Sequence, residues 1–107
     1  MKEILDYSQE HADEILSTLR DMVELESFSS DKAGVDTLSA YIRDKLEEVG
    51  AEVQTIPQDE AGNHLMADWG DGHEQVLILC HMDTVWPTGT LRAVSYTHLT
   101  LPTNREV

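Results

Sequence analysis

Apolar residues recur at helical spacing in two stretches of the chain and predict two amphipathic helices. The first runs from about Ser8 to Leu25, and the second ends at Gly50. The repeating positions are Ile15, Leu16, Leu19, Met22 and Val23 in the first helix, and Val35, Leu38, Ile42, Leu46 and Val49 in the second. Residues 27–31 prefer turns and caps and separate the two helices. Gly50 is expected to adopt the left-handed conformation that commonly ends a helix.

Three shorter stretches predict β-strands. Residues 51–57 alternate weakly between apolar and polar, and residues 64–69 form a second strand after an exposed turn at 58–62. The third stretch, residues 75–80, contains four consecutive large aliphatic residues, which is typical of a strand that is covered on both faces. We therefore expect a central strand at 75–80 and an α/β fold in which helices pack on a mixed β-sheet.

Composition and charge narrow the range of partners. A chain of 107 residues is long enough for one small domain. Its net charge of −14 repels the phosphate groups of nucleic acid and of anionic membranes. No segment approaches the roughly 20 apolar residues of a membrane span, and the N-terminus lacks the apolar core of a secretion signal. We expect a cytoplasmic protein without nucleic-acid or membrane partners. The single cysteine, Cys80, can form no internal disulfide and is expected to be a small buried residue.

A histidine and a carboxylate directly follow the third predicted strand. His81 and Asp83 are two residues apart, so in an extended chain both side chains face the same side. A carboxylate beside an imidazole fixes the ring tautomer that binds a metal. Because ligands of open α/β sheets gather where strands end, this pair predicts a metal site just after Cys80. An isolated pair of this kind is more often a hydrogen-bonded structural histidine, and only the flanking residues reverse that preference.

Those flanking residues resemble the co-catalytic zinc exopeptidases and deacylases, which include glutamate carboxypeptidase, acetylornithine deacetylase and succinyl-diaminopimelate desuccinylase. Their pattern is an apolar strand, then His-x-Asp-Thr-Val, then usually a proline and a glycine. The matching residues here are His81, Asp83, Thr84, Val85, Pro87 and Gly89. The resemblance continues upstream through residues 23–27, the helix ending at Gly50 and residues 62–65, and thus covers nearly all of the chain before residue 93. Residues 86–90 are most similar to the glutamate carboxypeptidase branch.

The resemblance implies a metallopeptidase that hydrolyses an amide bond in a small peptide or N-acyl amino acid, as a carboxypeptidase or deacylase does. His81 would be one metal ligand and Asp83 the catalytic carboxylate that supports it. The family's intact active site holds two Zn²⁺ ions, with Co²⁺ or Mn²⁺ as alternative metals, and the intact protein would form a homodimer. The other ligands and the general-base glutamate of the family lie further along. Residues 1–92 are therefore expected to be a truncated catalytic domain, and the 107-residue chain is expected to be inactive.

Three alternatives stay open. In the first alternative, the chain belongs to a related family of di-zinc aminopeptidases. In the second, it is a non-catalytic acidic interaction module that has the strand of the family but has lost the catalytic activity. In the third alternative, a hairpin centred near Gly72 brings His64 opposite Cys80 and His81, and these three residues bind zinc.

Residues 93–107 are expected to differ in origin from the rest of the chain. Residues 93–104 match a translation of a transposase-type sequencing adapter; a variable index would supply Arg105 and Glu106, and the adapter would resume with Val107 followed by a stop codon. We therefore interpret 93–107 as a non-native tail and assign no role to Tyr96 or His98. The underlying nucleotide sequence tests this interpretation, because any other choice of codons across residues 94–103 contradicts it.

Overall fold

The computed structural model describes residues 1–90, and the predicted tail at 93–107 lies outside them. Three helices are followed by two strands: α1 (Lys2–Glu10), α2 (Ala12–Glu24), α3 (Lys32–Glu48), β1 (Glu52–Ile56) and β2 (His64–Asp68). The expected combination of helices and a sheet is confirmed. The sheet itself is a two-stranded antiparallel hairpin over residues 1–90, where the sequence predicted a larger mixed sheet. None of the helices in this part of the chain is long and apolar enough to cross a membrane.

The first predicted helix is divided in two at His11. This residue leaves helical geometry, with φ −107° and ψ 18°, and its backbone N–H donates to the carbonyl oxygen of Tyr7. The His11 ring stacks on the Tyr7 ring at a centroid distance of 3.9 Å, and its Nδ1 lies 2.8 Å from the same carbonyl oxygen. His11 is therefore both the C-terminal cap of α1, where it donates to the carbonyl oxygen of Tyr7, and the N-terminal cap residue of α2. The apolar positions that predicted this helix, residues 15–23, all lie in α2, so the pattern gave no signal of a break at His11 or of a start at Lys2, before the predicted start at about Ser8.

Helix α3 forms the centre of the fold, as its apolar spacing predicted. Asp31 caps its N-terminus by accepting a hydrogen bond from the backbone N–H of Gly34 at 3.2 Å. Gly50 follows its C-terminus with φ +91°, which confirms the expected left-handed glycine. The most buried apolar side chains are Val35 and Leu38, each only 4% exposed. The core is therefore the face of α3 that packs against the hairpin.

The β1–β2 loop is tied to α3 by a small polar network. The backbone N–H of Asn63 donates to Oδ1 of Asp36 at 2.7 Å, while Oδ1 of Asn63 accepts from Nζ of Lys32 at 2.9 Å and from the backbone N–H of Gln58 at 3.0 Å. Gly62, next to Asn63, is buried directly against Val35. The loop between the two strands is therefore held on the N-terminal half of α3.

The prediction of a central strand at 75–80 was wrong for the part of the chain that the structure describes. These residues belong to no strand there, and residues 76–79 are between 78% (Ile78) and 90% (Val76) exposed. Cys80 is also exposed, although a buried position was expected. The physical reason is that a strand needs hydrogen-bonding neighbours, and residues 1–90 place none alongside this segment.

Candidate metal centre

The segment that carries His81 and Asp83 is attached to the turn between α2 and α3. Phe28 and Thr84 form a parallel β-bridge, in which the backbone N–H of Thr84 donates to the carbonyl oxygen of Ser27 at 2.9 Å and that of Ser29 donates to the carbonyl oxygen of Thr84 at 2.8 Å. The side chain of Ser27 donates to the carbonyl oxygen of Met82 at 3.1 Å. We refer to Ser27 and Ser29 together as the serine clamp. The clamp holds the backbone on both sides of Asp83.

The two serines act on one segment of the chain. The hydroxyl of Ser27 donates to Met82, and that of Ser29 lies within hydrogen-bond distance of Asp83 and Thr84, so both side chains reach residues 82–84. Ser27 is 7% exposed, and its hydrogen bond to Met82 satisfies a hydroxyl that would otherwise be buried without a partner. Neither serine is marked as a site residue by the sequence alone. Their i, i+2 spacing was visible, but a partner more than fifty residues away was not.

His81 and Asp83 lie on the same side of the chain, as their spacing predicts. Nδ1 of His81 is 3.8 Å from Oδ1 of Asp83, which is too long for a hydrogen bond but within ion-pair distance. The side chain of His81 is 96% exposed and that of Asp83 is 40% exposed. The structure therefore offers an accessible imidazole with a carboxylate beside one of its two nitrogens.

The carboxylate of Asp83 is held through its other oxygen by Ser29, one of the two residues of the serine clamp. Oδ2 of Asp83 accepts a hydrogen bond from Oγ of Ser29 at 2.7 Å. A hydrogen bond to an ionised acceptor is stronger than one between neutral groups. Asp83 is consequently the link between the exposed histidine and the turn that follows α2.

An open pocket of about 380 Å³ lies next to this pair, a size within the range of small-ligand sites. Its walls come from the start of α3, the β1–β2 loop and the segment containing His81. The lining residues are Ser29, Val35, Ala61, Gly62, Asn63, His64, Leu65, Cys80, His81, Met82 and Asp83. The pocket therefore brings the candidate pair close to the loop that Asn63 holds on α3.

Asp36 is the group near this pocket whose ionisation the fold alters most clearly. The backbone N–H of Asn63, followed by the ammonium group of Lys32, lowers the pKa of the Asp36 carboxyl below its usual range. Both contacts are direct, since Asn63 N lies 2.7 Å from Oδ1 and Lys32 Nζ lies 3.0 Å from Oδ2. The anionic form of Asp36 is therefore part of what fixes the β1–β2 loop.

The donors present fit one ligand position of a divalent metal ion. Catalytic zinc sites use three protein ligands, and no three His, Cys, Asp or Glu side chains of residues 1–90 lie close enough together to hold a metal ion. His64, Cys80 and His81 all line the pocket, but they do not form the alternative zinc cluster. The site described here is thus one accessible imidazole and its neighbouring carboxylate.

Comparison with known proteins found no relative of this chain. No protein-family model matches the chain, and neither curated proteins nor solved structures provide a match. The features of the chain that point to a function are therefore the motif at residues 81–89 and the geometry around Asp83.

Proposed function

We propose that residues 1–92 form the N-terminal part of the catalytic domain of a metal-dependent amide hydrolase, a carboxypeptidase or deacylase similar to glutamate carboxypeptidase. His81 is one metal ligand and Asp83 is its supporting carboxylate. The substrate is a small peptide or an N-acyl amino acid, the metal is zinc, with cobalt or manganese as alternatives, and the enzyme works in the cytoplasm. The observation that carries the proposal is the exposed His81 ring 3.8 Å from a carboxylate that is itself anchored.

The exposure of His81 supports the role of a ligand over that of a structural histidine. A structural histidine has its ring nitrogens hydrogen-bonded inside the fold, whereas the side chain of His81 is almost wholly accessible. A carboxylate next to Nδ1 favours the tautomer that carries its proton there. The lone pair of Nε2 is then available to a metal ion. Metal-binding histidines usually donate their second ring N–H to a carboxylate or carbonyl oxygen, and here a carboxylate oxygen lies 3.8 Å from Nδ1, so the ring has to move slightly closer to donate this hydrogen bond.

The chemistry follows from this division of roles. Divalent metal ions, when bound, supply a hydroxide nucleophile near neutral pH and polarise the amide carbonyl group. Among the described residues, His81 would hold the metal, and Asp83 would keep a proton on Nδ1 and orient the ring. The pocket beside them has room for a small polar substrate. By resemblance, the other ligands and the general base come from positions further along the family's sequence.

A titration of the 107-residue chain with Co²⁺, followed by NMR of the histidine rings, tests the role of His81. His73, which lies in an exposed stretch, serves as a reference inside the same molecule. We expect Co²⁺ to broaden the His81 signals at a concentration on the order of tenfold lower than the His73 signals, because a neighbouring carboxylate strengthens an imidazole ligand by about this factor. Asp83→Asn should remove the difference. Equal responses of His81 and His73 in the wild-type chain would contradict the proposal.

The hydrolase activity is tested in the protein encoded by the uninterrupted reading frame that contains residues 1–92. His81→Ala should lower both the zinc content and the rate of hydrolysis of N-acyl amino acids, whereas His73→Ala should leave both unchanged. The measurements are metal analysis of the purified protein and the release of free amino acid. If the His81→Ala protein keeps its metal and its activity, the assignment is wrong.

A further inference from the structure

The two oxygens of the Asp83 carboxylate have different neighbours. Oδ2 accepts a hydrogen bond from Oγ of Ser29 at 2.7 Å, and Oδ1 is the oxygen that lies 3.8 Å from Nδ1 of His81. A carboxylate is planar, so a donor that holds one oxygen also fixes the direction of the other. The orientation of Oδ1 toward His81 therefore depends on the contact between Ser29 and Oδ2.

The hydroxyl of Ser29 has one proton and two acceptors within reach. The distance from Oγ is 2.7 Å to Oδ2 of Asp83 and 2.9 Å to the carbonyl oxygen of Thr84. That carbonyl oxygen already accepts the backbone N–H of Ser29 at 2.8 Å. The carboxylate is charged and closer, and a hydroxyl oxygen without its proton toward Oδ2 would repel it at this distance. The proton is therefore donated to Asp83.

The place of Ser29 in the fold does not depend on its hydroxyl. Its backbone N–H donates to Thr84, and the backbone N–H of Thr84 donates to Ser27, so the parallel bridge is made by main-chain groups. Ser27, which bonds to Met82, provides a second attachment. Removal of the Ser29 hydroxyl should thus release the carboxylate of Asp83 and leave the bridge in place.

We infer that Ser29 is a positioning residue for the metal site: its hydroxyl orients the Asp83 carboxylate so that the latter can hold His81 in the geometry and tautomer that bind a metal ion. This inference rests on the proposed function of His81 as a ligand. Ser29 does not touch the metal or the substrate, and its effect passes through Asp83.

The test compares Ser29→Ala with Ser29→Thr, which keeps the hydroxyl, and with Ser30→Ala, which removes the hydroxyl of an exposed neighbouring serine. The measured quantity is the ratio of the Co²⁺ concentrations that half-broaden the ring signals of His73 and His81 in the 107-residue chain. We expect Ser29→Ala to lower this ratio by a factor on the order of ten, toward one. Ser29→Thr and Ser30→Ala should keep the wild-type ratio.

A merely structural role of Ser29 makes a different prediction. The backbone amide signals of Ser27 and Thr84, recorded in the same samples, should stay at their wild-type positions in Ser29→Ala, because the main-chain bridge is kept. A wild-type ratio near ten together with an unchanged ratio in Ser29→Ala overturns the inference and leaves the role of His81 intact. Displaced amide signals with a lowered ratio that Ser29→Thr does not restore also overturn it. A wild-type ratio of one overturns the proposed function and the inference with it.

Discussion

Gly62→Ala is the substitution whose effect the geometry defines most sharply. A Cβ atom added to Gly62 would clash with Cγ1 of Val35 and lie 2.5 Å from Cβ of the same residue, whereas real Cβ contacts essentially never fall below 3.0 Å. Carbon atoms pack best at about 3.5–4.0 Å, so the β1–β2 loop and α3 must separate locally by roughly 1 Å or more. Val35 cannot swing away easily, because a β-branched side chain in a helix has one strongly preferred rotamer.

The expected magnitude is the balance of two effects. Overpacking of this kind destabilises a protein by about 1–3 kcal/mol. The alanine also reduces the freedom of the unfolded chain, which stabilises the fold by roughly 0.4–1 kcal/mol where the native φ suits alanine. Gly62 has no positive φ, so this second effect applies. The mid-values of the two ranges give an expected net loss of about 1.3 kcal/mol in the free energy of unfolding.

Urea denaturation followed by far-ultraviolet circular dichroism measures this loss. Gly72→Ala is the matched control, because a Cβ there meets no heavy atom within 4 Å and the residue has no positive φ. It should leave the free energy unchanged or raise it slightly. In a Val35→Ala background, Gly62→Ala should lose the part of its effect that comes from Cγ1, while the contact with Cβ at 2.5 Å stays. A Gly62→Ala chain as stable as the wild type would refute the reasoning.

Three further predictions concern pH, solubility and activity. Because the fold lowers the pKa of Asp36 below the unfolded value of about 3.8, its contribution to stability is present above that pH and is lost as the pH falls through the folded pKa. Asp36→Asn should therefore destabilise the chain at neutral pH and progressively less below pH 4, as acid and urea titrations can measure, and a constant difference would contradict this assignment. Ile78→Lys should reduce self-association measured by sedimentation velocity, because residues 76–79 are an exposed, uncharged apolar segment. Val49→Lys, at an isolated exposed apolar residue, should not reduce it. Equal effects of the two substitutions would contradict the role of residues 76–79 in self-association. The 107-residue chain with added Zn²⁺ should hydrolyse no N-acyl amino acid, and any zinc-dependent amidase activity would contradict the prediction.

Much of the local structure could be predicted from the sequence. The spacing of Val35 and Leu38 placed α3 correctly, Gly50 marked its end, and both strands of the hairpin lie where their alternation indicated. The common side of His81 and Asp83 followed from the geometry of an extended chain alone. The break at His11 was missed because it depends on one residue that caps one helix and stacks on Tyr7.

The amino-acid sequence by itself determined features that involve neighbours a few residues apart, since periodicity, capping and side-chain direction are local properties of the backbone. The tertiary structure alone decided which distant groups meet: Ser29 with Asp83, Gly62 with Val35, and Asn63 with Asp36. It also decided that residues 75–80, whose composition suits a buried strand, lie exposed. The reason is that strand pairing and burial require a partner surface, and the identity of that surface is not encoded in the segment that needs it.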